Sequence, residues 1–277
     1  MNPFKLITKP FGCLCSLIGG IILFCILLLI LGVALFNRLF PGIVEEYVEI
    51  RGGFPVRIDE ANWDLLGSAF DIEDVVVENP PNFPEKDFLH IRSLTMEASP
   101  NEVLHAINKK ETHIKRLELD IERFNWVLTD GGSTNLGLFA KAVEEEAEAR
   151  TETKTETAAE PATSDQDNTP SGVTVQTWVI RIGTIEVSDY SRGPVQREKI
   201  VLNYEREFHD APGAKTVIEA VAKDMASYRL EPVITRLLAS IFMIPDVSKL
   251  AGKIESSTDW LEKQTDSFRN VFDEAQE

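Results

Sequence analysis

Residues Phe11 to Phe36, FGCLCSLIGGIILFCILLLILGVALF, form an apolar run without a single charge. Its roughly 26 residues exceed the ~20 that a helix needs to cross the hydrocarbon core of a bilayer. A helix is the form expected there, because lipid tails offer the backbone no other hydrogen-bond partner. The run therefore predicts a single-pass anchor over 11–36, with 1–10 on one side and the body on the other.

Lys5, Lys9 and the free amine precede the run, whereas Arg38 and then Glu45, Glu46 and Glu49 follow it. Lysines and arginines of the short first loop set orientation. The N-terminus is expected in the cytoplasm and the body outside it. A cleaved signal peptide fits less well, because the run is longer than a signal core and no small-x-small site follows. A lipoprotein signal also fits poorly, since Cys13 and Cys15 precede the apolar core.

Cys13, Cys15 and Cys25 are the only cysteines, so the body has no disulfide framework and must be held by an apolar core. Its length suffices for one sizeable domain or two small ones. The net charge of −17 leaves no basic footprint for nucleic acid, and no general attraction to anionic headgroups. Part of that charge lies in Val143–Gly172, an acidic, Thr/Ala/Glu-rich stretch almost free of large apolar residues. Such a stretch cannot bury enough surface to offset chain entropy, and a flexible insert is expected. It separates 43–142 from 173–245.

The body predicts an α+β fold, an antiparallel, curved sheet with helices at its ends or along one face. Ile43, Val44, Tyr47 and Ile50 have helical spacing, stopped by Gly52-Gly53. Two strands follow, with Val56 and Ile58 and then Val75 and Val77 alternating with polar residues, turned at Leu66-Gly67-Ser68. Asn79-Pro80-Pro81 ends the second. A third strand is expected over Phe88–Ser99, then a short helix over Glu102–Lys109. In IKRLELDIERF, Leu117, Leu119 and Ile121 face one way and Arg116, Glu118, Asp120 and Glu122 the other, which means one buried and one wet face. Asp130-Gly131-Gly132 makes a turn, and LGLFAKAVEEEAEA opens an amphipathic helix.

Beyond the insert, Trp178, Ile180 and Ile182 share a strand face before the pattern slips to Ile185 and Val187, with a bulge expected at Gly183. Ile200, Leu202, Tyr204 and Phe208 form another strand. Helices are expected over Lys215–Tyr228 and Glu231–Ile244, the second with Pro232 in its first turn. The tail, 246–277, reads as an amphipathic helix whose Val247, Leu250, Ile254, Leu261, Phe268 and Val271 give a weak coiled-coil register, with Ser257 and Gln264 at interrupting positions.

The order of these features resembles the N-terminal region of AsmA-like proteins of bacterial envelopes. The similarity rests on the anchor, the Asn62-Trp63 and Leu66-Gly67 hairpin, and Val77-Glu78-Asn79-Pro80 followed by Phe83-Pro84. It continues through the Leu94 strand, the Ile114–Ile121 strand, Gly132-Ser133-Thr134-Asn135-Leu136 and WVIRIGTIEVSDYSRGPVQREKIVLNY. The resemblance implies a non-enzymatic inner-membrane protein with a periplasmic body and a role in outer-membrane lipid homeostasis. Large members resemble bridge-like lipid transfer proteins, but this body is too short to span a periplasm, since a sheet widens by only about 4.8 Å per strand.

No catalytic or cofactor motif appears. His90, His105, His113 and His209 have no metal-ligand spacing. Gly67-Ser68 lacks the flanks of a nucleophile elbow, and Gly131–Thr134 lacks the lysine of a phosphate loop. Asp71, Glu73 and Asp74 lack the other positions of a calcium loop and read as polar strand residues. Two functions stay open. In one, an apolar sheet face and a broad apolar helix contact phospholipid through Leu119, Ile121, Trp178, Ile180, Ile182, Leu237, Leu238, Ile241 and Phe242. In the other, the chain is an anchored scaffold that binds an envelope protein through its tail helix or acidic insert.

Overall fold

The computed structural model describes residues 23–24, 27–28, 30–35, 37–42, 53–64, 68–98, 112–145, 173–191 and 194–242. The chain divides into two units, Met1–Phe40 and Pro41–Glu277.

In the first unit, the described residues between 23 and 40 are helical (α1). Much of the run 11–36 lies outside the described residues, and among those described no helix is long and apolar enough to cross a membrane. The described part of α1 nevertheless exposes Leu23, Phe24, Leu27, Ile30, Leu31 and Leu39, each at 51% or more.

The second unit is an α+β domain around a six-stranded sheet in simple order, β1 to β6. The strands are β1 Val56–Asp64, β2 Ala69–Glu78, β3 Asp87–Ala98, β4 Thr112–Leu128, β5 Val173–Asp189 and β6 Gln196–His209. At 17 residues each, β4 and β5 are about 55 Å long. Helix α2 occupies 135–145. After β6 come α3 (Ala214–Asp224), a 3₁₀ turn (Met225–Tyr228) and α4 (Glu231–Ile241). Arg229, at φ 54°, ends the 3₁₀ turn and splits the helix expected over 215–228 from α4. The expected helices at 43–50 and 102–109, the insert beyond 145 and the tail from 246 lie outside the described residues.

One expectation is corrected. The sheet is not wholly antiparallel, because β4 and β5 pair in parallel from Thr112↔Val173 to Leu128↔Asp189. The other four pairs are antiparallel. The reason is connectivity. Parallel neighbours need a long crossover rather than a hairpin. The segment 129–172, with α2 inside it, returns the chain to the end at which β4 began.

The strands share a second irregularity. In five of them the buried or half-buried positions step by two and then, once, by three: Ile58 to Ala61, Ile72 to Val75, Ile91 to Leu94, Ile121 to Phe124 and Ile182 to Ile185. Asp59, Asp74, Arg92, Glu122 and Gly183 drop out of the pairing ladders at these steps, so they form one row across five strands. The pairing register itself shifts at this row between β3 and β4 and between β5 and β6, and an extra residue of that kind bends a strand and increases its twist. The bulge expected at Gly183 is there as a register shift between Ile182 and Thr184, with Leu202 and Asn203 of β6 opposite the single Gly183. A Cβ there would meet the Glu122 carbonyl oxygen at 2.6 Å, so the close approach of β4 requires glycine.

Candidate functional site

The nine residues with which the lipid-contact reading began are brought together, but inside the core. Leu119, Ile121, Ile180, Ile182, Leu237 and Leu238 are fully buried, and Trp178 nearly so. Ile241 and Phe242 are half-buried against the same cluster. Phe242 meets the Trp178 ring edge-on at 5.5 Å. Around the start of α2, Phe54, Phe88, Phe124 and Phe139 stack at centroid distances of 5.0–5.5 Å. The helices thus cover one sheet face with packed side chains where an acyl chain would have to lie. A shallow cavity of about 410 Å³ lies elsewhere, where β4 and β5 begin and β6 has ended. It is lined by His113, Lys115, Gln176 and Asp210 among others, and by none of the nine.

The opposite face carries cross-strand ion pairs. Glu118 of β4 is held by Arg116 at 3.2 Å and by Arg181 of β5, which also reaches Glu205 of β6 at 3.0 Å. Burial pushes the Glu118 carboxyl up, and the hydrogen bonds from Arg181 and Arg116 outweigh it, so it sits below the usual carboxylate range. Arg92 bridges Asp120 and Glu122 at 3.3 Å each. His90 lies between Asp74 at 3.3 Å and Glu122 at 3.7 Å. Among the described residues no group of His, Cys, Asp and Glu could hold a metal ion.

No family model, curated protein or solved structure matches this chain.

Sequence reasoning missed one polar network. Asn135, fully buried at the first turn of α2, accepts from the Val127 and Leu136 amides at 3.0 and 2.9 Å. Its amide nitrogen donates to the Asn125 carbonyl at 2.7 Å and to Asn79 Oδ1 at 3.0 Å. Asn79 donates in turn to the carbonyls of Glu85 and Asp87. Asn79 follows the end of β2 and precedes Pro80, and Asn135 opens α2 after Gly132-Ser133-Thr134. The only available signal was an asparagine placed where each turn meets an apolar run. Two further clusters tie loops and helices to the sheet. Glu85 accepts from Tyr190 at 2.5 Å and Arg197 at 2.8 Å; the Tyr190 bond, partly opposed by burial and aided by Arg197, holds its carboxyl low. Asp224 of α3 accepts from Tyr204 at 2.9 Å and Arg206 at 2.5 Å, and burial with the Asp224 bond pushes the Tyr204 hydroxyl far up.

Proposed function

We propose that this chain is an AsmA-like protein anchored in the bacterial inner membrane, with its sheet domain in the periplasm as a non-enzymatic scaffold for envelope lipid homeostasis. The observation that carries the anchoring is α1. Its described residues expose large apolar side chains over successive turns within an uncharged run, and water is a costly solvent for such a surface. A bilayer removes that cost.

The packed core favours the scaffold over the lipid groove. Leu119, Ile180 and Leu237 have no exposed surface with which to hold an acyl chain, so lipid contact would require the helices to leave the sheet. A role in lipid homeostasis is then exerted through a partner protein.

Two measurements test this. Carbonate extraction of membranes should leave the chain in the pellet, and a reporter active only outside the cytoplasm, fused after 242, should be active. Release by carbonate would remove the anchor. Native mass spectrometry of the detergent-solubilised chain should show no stoichiometric phospholipid that is lost on substituting Leu237 and Ile241 by charged residues. Such an adduct would reinstate the groove.

A further inference from the structure

β6 has one strand neighbour, β5, and its outer edge is unpaired among the described residues. A long free edge invites another strand, and proteins commonly blunt it with charge and bulges. β6 has both, but its charges are ordered. Arg197-Glu198-Lys199 and Glu205-Arg206-Glu207 lie equally far from Leu202 with every sign inverted.

The geometry points to antiparallel pairing of β6 with β6 of a second copy of this chain, about a two-fold axis at Leu202. In that register Arg197 faces Glu207, Glu198 faces Arg206 and Lys199 faces Glu205, each twice by symmetry. Each pair lies on one face of the extended sheet, because both members have the same parity along the strand. Ile200 faces Tyr204 on the helix side. Sliding the register two residues in either direction keeps only one of the three complementary combinations. A single register is therefore selected, which a uniformly charged edge could not do.

Three further observations agree. Val201, beside the axis, is 55% exposed, an apolar side chain on an otherwise charged edge. Glu198 Oε2 is buried without a hydrogen-bond partner among the described residues, and Arg206 of the second copy would lie across from it. Asn203, at φ 44°, puts the irregular backbone at the axis, leaving the regular arms on either side to make the ladder.

The test is a charge swap on the full chain in detergent, read by sedimentation velocity across a concentration series. Lys199 and Glu205 are both 62% exposed; each also pairs within its own chain, Lys199 with Glu186 at 3.5 Å and Glu205 with Arg181 at 3.0 Å, so the melting temperature of each variant is measured alongside to separate loss of pairing from loss of fold. Lys199→Glu and Glu205→Lys should each weaken dimerisation about tenfold, as two attractive cross-strand pairs become repulsive. The double variant should restore it, and a mixture of the two single variants should form the heterodimer. A wild-type chain that stays monomeric, or single variants that both associate as tightly as wild type, overturns the pairing. The second outcome would assign association to another surface, such as the apolar N-terminal run.

Discussion

The two faces of the sheet solve different problems with alternate residues of the same strands. On the helix side, Leu119, Ile121, Phe124 and Trp126 of β4 are fully buried. On the other side, Arg116, Glu118 and Glu122 of the same strand exchange ion pairs with β3, β5 and β6. The first face supplies stability, because burying a large apolar side chain contributes about 1.5–3 kcal/mol and leaving a cavity costs more. The second supplies little, since exposed ion pairs contribute about 0–1 kcal/mol each. What it supplies is register. A one-residue slip would set charged side chains opposite apolar ones and turn the apolar set outward.

The widest difference should appear in Phe124→Ala. Phe124 is fully buried and meets the Phe88 ring, so the loss should be about 3–5 kcal/mol in urea denaturation. A loss below about 1 kcal/mol would mean that this face is not a packed core. Asn135→Ala comes next. It strands the Val127 amide and the Asn125 carbonyl and should cost about 2–3 kcal/mol, with the first turn of α2 losing hydrogen-exchange protection. Gly183→Ala should cost about 1–3 kcal/mol, because the new methyl meets backbone rather than a movable side chain. An unchanged midpoint would remove the close approach of Gly183 to the Glu122 carbonyl.

The outer face is probed by pH and by a surface variant. Glu118 and Glu85 have folded values below their ordinary 4.5. Their stabilisation is therefore present above pH 4.5 and lost as pH falls through the lowered folded values. Glu118→Gln should flatten that acid limb by lowering the midpoint modestly at neutral pH, with the variant and wild type converging as pH falls. A steeper limb would reverse the sign of the assignment. Arg92→Ala should have the smallest effect, below about 1 kcal/mol, because its side chain is 58% exposed.

Much of this comparison was legible from spacing. Leu117, Leu119 and Ile121 against Arg116, Glu118 and Asp120 named the two faces of β4, and Val233, Ile234, Leu237 and Leu238 named the buried side of α4. Less visible was the row of unpaired positions. Each of these five strands shows only one three-residue step, and a local period cannot reveal that Asp59, Asp74, Arg92, Glu122 and Gly183 are neighbours. The Asn79–Asn135 contact was hidden for the same reason, with 56 residues between its ends.

By itself, then, the sequence determined which residues leave water, where the apolar N-terminal run stands, and the α+β class, because these follow from local periodicity and composition. Tertiary structure alone decided that β4 and β5 run in parallel, that the irregular steps of five strands align and that Leu119, Ile180 and Leu237 are buried in one cluster. Each of these depends on which distant segments meet. Apolar residues of the same spacing can line a groove or fill a core, and only the surfaces packed against them make the difference.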